Sequence, residues 1–124
     1  MIDYSHTEAC RIVRNLFTSR DAAVQTEVPL PLGRGAVDVL VNRSGRLPLY
    51  IEVKSHPSSI MQGGVQKQLR RYEEHFPGGE YALAFPTLDG RIALVDFKTN
   101  TRTLLGVAAR KEYLSRVDCE IVMH

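Results

Sequence analysis

Asp38 and the triplet Glu52-Val53-Lys54 put two carboxylates and an ammonium on neighbouring segments that both read as β-strands. Ala36 to Val41 and Leu49 to Lys54 are rich in β-branched residues, and Arg43-Ser44-Gly45-Arg46 between them reads as a turn. A hairpin folded about Gly45 sets Val41 opposite Leu49, Val39 opposite Ile51 and Asp38 opposite Glu52. Side chains alternate faces along a strand, so Val37, Val39, Val41, Leu49, Ile51 and Val53 would form one apolar face that belongs in the core. The other face would carry Asp38, Leu40, Tyr50, Glu52 and Lys54. Carboxylates directly opposed across a strand pair, with Cβ atoms about 4.5 to 5.5 Å apart, repel each other. They call for a cation, either the ammonium of Lys54 or a divalent metal bridging both. Magnesium suits such a site because it takes oxygen ligands, is commonly held by one or two carboxylates and keeps positions open for water and phosphate oxygens. The spacing fits equally well a structural ion pair on a solvated sheet face.

The elements that must position these residues follow from periodicity. Ala9, Ile12, Val13, Leu16 and Phe17 predict an amphipathic helix over about residues 5–18, with Ser5 and Glu8 at capping-box spacing. Val24 to Leu32 contains two prolines and reads as an edge or irregular strand. Val65, Leu69, Tyr72 and Phe76 predict a second helix over about residues 59–76, capped by Ser59 and Gln62 and weakened early by Gly63 and Gly64. After Pro77-Gly78-Gly79 come strand-like runs at Tyr81 to Phe85, Arg91 to Phe97 and Arg102 to Val107, with turn chemistry at Asp89-Gly90 and Thr99-Asn100. A short helix near Arg110 to Arg116 and a strand from Cys119 to Met123 complete the pattern. The order implies an α/β domain with a mixed sheet.

With 124 residues, 44% hydrophobic and 24% charged, the chain fits one globular domain and not a disordered or fibrous class. Sixteen basic against 14 acidic residues give a net charge of +2, so any phosphate binding must come from placement and not from total charge. No apolar run approaches a membrane span, and Asp3, His6 and Glu8 make the N-terminus unlike a signal peptide, so the expectation is a soluble cytoplasmic protein with no membrane partner. Cys10 and Cys119 lie far apart with no Cys-x-x-Cys or Cys/His cluster. Both are expected to be buried thiols, with neither a zinc site nor a disulfide framework indicated.

Asp38 followed by Glu52-Val53-Lys54 resembles the bipartite motif of the PD-(D/E)XK nuclease superfamily, in which an acidic residue on one strand precedes Glu-x-Lys on the next. Val37 stands where that motif has proline. The resemblance spans roughly residues 5–86. Gln68-Leu69-Arg70-Arg71-Tyr72 is similar to the Gln-hydrophobic-x-x-Tyr motif of the RecB-like branch. Glu8 matches the further acidic residue that many members, including archaeal Holliday-junction resolvases, carry on the first helix. Glu27-Val28-Pro29-Leu30 with Gly33 to Asp38 is similar to the nuclease-like N-terminal domain of type I restriction subunits. The residues do not choose among these branches.

The resemblance implies a restriction-endonuclease-like core over a single domain, residues 1–124: helix, three strands, helix, strand, with a central mixed sheet flanked by helices. It implies metal-dependent hydrolysis of DNA phosphodiester bonds by an endonuclease of DNA repair, recombination or restriction. Asp38, Glu52, the backbone carbonyl of Val53 and Glu8 would ligate Mg2+, with Mn2+ able to substitute. Lys54 would position the attacking water, Gln68 and Tyr72 would support it, and Arg34, Arg70 and Arg71 would meet phosphates. DNA would be the partner, with a homodimer or a larger nuclease complex completing recognition. Blander readings stand beside these. In them Glu8 serves only the capping box, Tyr72 the core, and Gln68, His56 and the arginines face solvent. The alternative function is a catalytically inactive nuclease-fold module that binds nucleic acid or a protein partner.

Overall fold

The computed structural model describes residues 5–20, 22–55, 63–87, 91–107 and 121–123. Helix α1 (His6–Thr18) is followed by β1 (Ala23–Pro29), β2 (Ala36–Asn42) and β3 (Leu49–Val53), then α2 (Gly63–His75) and β4 (Glu80–Pro86). Strands β5 (Arg91–Asp96), β6 (Arg102–Val107) and β7 (Ile121–Met123) follow. All seven strands form one sheet in chain order. Every neighbouring pair is antiparallel except β3 and β4, which run parallel because α2 carries the chain back across the sheet. The expected sequence of helix, three strands, helix and strand in a mixed sheet is therefore present. Ser59, Gln62, His56, the Asp89-Gly90 turn, the short helix near Arg110 to Arg116 and Cys119 lie outside the described residues. No helix among the described residues is long and apolar enough to cross a membrane.

Each helix covers one face of the sheet. Ala9, Ile12, Val13, Leu16 and Phe17 of α1 pack on Val39, Val41, Leu49, Ile51 and Val53. Val65, Leu69 and Tyr72 of α2 pack on Leu40, Tyr50, Tyr81 and Leu83. Ser5 and Glu8 close the capping box that starts α1. The face that carries Glu52 is thus roofed by α2, not solvated as the structural ion-pair reading had it, and Leu40, Tyr50 and Glu52 on it are buried.

The hairpin has the expected register at Val41↔Leu49 and Val39↔Ile51. It departs from expectation at Asp38. The ladder ends at Val39↔Ile51, so Asp38 and Glu52 are not a directly opposed cross-strand pair. Val37 packs with Leu40 on the α2 side, although Val39 and Val41 face α1. The reason lies on the neighbouring strand: between Thr26↔Val39 and Val28↔Val37, Glu27 takes φ 53°, a left-handed conformation that breaks the regular pairing. Such a conformation costs a non-glycine residue about 1–2 kcal/mol. Strict period-two alternation holds only for regularly extended backbone, and here it is interrupted.

Tyr50 fixes the far end of the α2 layer. Its ring stacks on Phe76 at 5.3 Å and on Tyr81 at 5.5 Å. Gly79 passes so close that a Cβ there would lie 2.6 Å from Tyr50 Cε1 and 2.8 Å from the Pro48 carbonyl oxygen. Gly79→Ala is therefore expected to destabilise the protein by about 1–3 kcal/mol in chemical denaturation. An unchanged midpoint would contradict this packing.

Candidate metal centre

Glu52 sits on β3, between β2 and β4, and its side chain points toward α2. It is 8% exposed, the one charged residue among the described residues to be buried. Both of its oxygens are engaged: the Tyr72 hydroxyl donates to Oε1, and Lys54 Nζ lies 3.2 Å from Oε2. Burial first, and the charge of Asp38 second, hold the Glu52 carboxyl above its ordinary pKa, while Tyr72 and Lys54 pull it back. Burial, followed by the charge of Glu52, pushes the Tyr72 hydroxyl well above the usual phenol range, so it acts as a neutral donor. Gln68, one turn earlier on α2, hydrogen-bonds Tyr72 and accepts a bond of 3.2 Å from Arg71 Nη1. The same Arg71 nitrogen lies 3.3 Å from the Arg34 carbonyl oxygen and ties α2 to the β1–β2 loop.

Asp38 reaches the same region from the opposite layer. Where the β2–β3 ladder stops, its Oδ2 accepts a 2.8 Å hydrogen bond from the Val53 amide, replacing the lost strand pairing. The same oxygen lies 3.3 Å from His6 Nε2, and Cys10 Sγ lies 3.7 Å from that nitrogen. Burial, then the charges of Asp38, Glu52 and Glu27, push the Cys10 thiol up to about 12.

Glu52, Lys54, Gln68 and Tyr72 are thus brought into one network, which Asp38 adjoins through the Val53 amide and through its charge on Glu52. Glu8 stands apart from it: its carboxylate lies 3.2 Å from the Ser5 hydroxyl and 3.5 Å from the Ser5 amide nitrogen. Arg34 and Arg70 are exposed, and Arg71 is half-buried as a brace. Cys10 is only partly buried, against the expectation of a core thiol. Sequence reasoning missed His6, Cys10 and Glu27. His6 and Cys10 stand one helical turn apart, a readable signal, but their third neighbour arrives from β2 and has no sequence spacing to betray it.

The donor set fits a hard divalent cation. Two carboxylates within each other's field, one of them buried, are balanced by the single ammonium of Lys54, and carboxylate oxygen is the ligand that Mg2+ takes.

The pKa shift of Glu52 carries a sign. A carboxyl held above its ordinary value of 4.5 in the fold stabilises the protein when protonated. That contribution is full below 4.5 and is lost as pH rises through the higher folded-state value. In metal-free buffer the melting temperature of the native protein relative to Glu52→Gln should therefore rise on going from about pH 7 to about pH 5. Parallel pH profiles for the two proteins would contradict it. Tyr72→Phe leaves the buried carboxylate short of a donor and should cost about 1–3 kcal/mol in urea titration. A change within error would show that the hydroxyl contributes nothing.

Comparison of the chain with protein-family models, with curated proteins and with solved structures finds no match.

Proposed function

We propose that the protein is a Mg2+-dependent phosphodiesterase acting on DNA, an endonuclease with a restriction-endonuclease-like core of the PD-(D/E)XK type. The observation that carries this reading is the buried Glu52, linked to Lys54 and Tyr72 and sharing its field with Asp38. A purely structural ion pair has no need of a second carboxylate beside the first. Asp38, Glu52 and the Val53 carbonyl would hold Mg2+, which when bound supplies charge neutralisation at the phosphoryl oxygens and a more acidic water.

The chain's own groups have separable tasks. Lys54 keeps its ammonium beside Glu52 Oε2 with its side chain 34% exposed, so it can donate both to the carboxylate and to a water or phosphoryl oxygen arriving from solvent. Fixed donors of this kind stabilise charge that develops in the transition state without reorganising. Tyr72 holds Glu52 in place from inside the core, and Gln68 holds Tyr72. Arg34 and Arg70 are exposed cations available to neighbouring phosphates, and they would orient the strand without reading its sequence.

A second reading has one observation in its favour: both oxygens of Glu52 are engaged within the protein, as in a nuclease-fold module that binds nucleic acid or a partner without cutting. Cleavage separates the two. Single-stranded, duplex, flapped and four-way-junction DNA, with RNA alongside, are incubated with the protein and Mg2+. Glu52→Gln and Lys54→Ala are each expected to reduce cleavage of the preferred substrate by at least about 100-fold with circular dichroism unchanged. Cleavage undiminished in both variants would remove these residues from the reaction. Absence of cleavage of every substrate, with DNA still bound, would favour the module.

A further inference from the structure

We propose that His6, Cys10 and Asp38 form a second metal site, one that takes a borderline divalent cation such as Zn2+ in the cleft between α1 and the β1–β2 hairpin. The site does not depend on the phosphodiesterase reading, although it shares Asp38 with it.

The ligand atoms are already arranged for such an ion. His6 and Cys10 lie one turn apart on α1, so their side chains project side by side. His6 Nε2 is 3.3 Å from Asp38 Oδ2 and 3.7 Å from Cys10 Sγ, and all three atoms fall within 4.8 Å of one another. Tetrahedral zinc, with bonds of about 2.0–2.1 Å to nitrogen or oxygen and about 2.3 Å to sulfur, separates neighbouring donors by about 3.3–3.6 Å. Two edges of the triangle therefore match the polyhedron closely. Among the described residues this is the one such grouping of His, Cys and carboxylate ligands.

Ligand chemistry sets the class of ion. Imidazole and thiolate favour Zn2+ or Co2+ over Mg2+, which prefers an all-oxygen shell. On binding, Cys10 would release its thiol proton to solvent and His6 would coordinate as the neutral ring, so thiolate and carboxylate together balance the dication. The Val53 amide donates to the same oxygen, Asp38 Oδ2, at 2.8 Å and fixes where the carboxylate sits, as outer partners of metal ligands do. The cleft has a volume of about 280 Å³, room for a fourth donor such as water. Arg11, Arg14 and Glu27 also line it, so two cations and a further carboxylate surround that position.

The test is titration of the reduced full chain with Co2+, followed by absorption. A thiolate-to-cobalt charge-transfer band and the intense visible bands of tetrahedral Co2+ should appear at one equivalent and be bleached by Zn2+. Cys10→Ser should lose the charge-transfer band, and His6→Ala, which alters an exposed side chain, should weaken Co2+ binding more than about tenfold. Cys119→Ser and Glu52→Gln should keep the band. Glu52→Gln should at the same time lose calorimetric Mg2+ binding, so the two metal readings fail separately. No charge-transfer band in the native protein, or a band that follows Cys119 and not Cys10, would overturn the proposal.

Discussion

Placing a carboxylate inside a protein costs several kcal/mol unless its oxygens are paired, and Glu52 meets that condition on an interior strand. Much of the architecture around it answers the need. The parallel pairing of β3 with β4 requires a crossover, the crossover is α2, and α2 delivers Tyr72 to one oxygen of Glu52. Lys54 leaves the end of the same strand and takes the other. Tyr72 is itself fully buried, so the hydrogen bond to Glu52 is also part of how α2 seats on the sheet. A group this costly to bury is difficult to account for as packing alone. Its pairing with Lys54, itself partly open to solvent, connects the core to the surface.

The second carboxylate reaches this region by a different route. Regular alternation would have set Asp38 on the α2 face beside Glu52. The left-handed residue at Glu27 breaks the pairing, the ladder to β3 stops one residue early, and Asp38 takes up the Val53 amide that the sheet no longer satisfies. Asp38 therefore meets α1, through His6, while Glu52 meets α2, through Tyr72. One carboxylate from each layer converges at the point where β2 and β3 part. A left-handed residue costs energy, and here the β1–β2 register is the same on both sides of it.

Much of this was legible in the sequence, for identifiable reasons. The register Val41↔Leu49 and Val39↔Ile51 depended on a turn at Gly45 and an unbroken run of β-branched residues, both local. Helix α1 carried its own cap and apolar stripe. Tyr72 was readable both as core and as a site residue; it is fully buried, and its hydroxyl donates to Glu52. The misplacement of Val37 arose because the break in alternation is imposed from β1, by the backbone of Glu27, and β2 itself shows no sign of it. His6 and Cys10 were passed over because their relation to Asp38 depends on how α1 docks on the sheet. Glu8, on the same helix, has its carboxylate at the Ser5 cap, which the capping-box spacing had offered as one of its two readings.

The central claim is that Glu52 is a desolvated carboxylate under the charge of Asp38, as the proposed cation site requires. Carboxyl-carbon NMR of Glu52, followed through a pH titration with and without Mg2+, measures this directly. The account predicts that Glu52 titrates above its ordinary value of 4.5 in the metal-free protein and that saturating Mg2+ lowers its midpoint. A midpoint in the ordinary carboxylate range, unmoved by Mg2+, would contradict it.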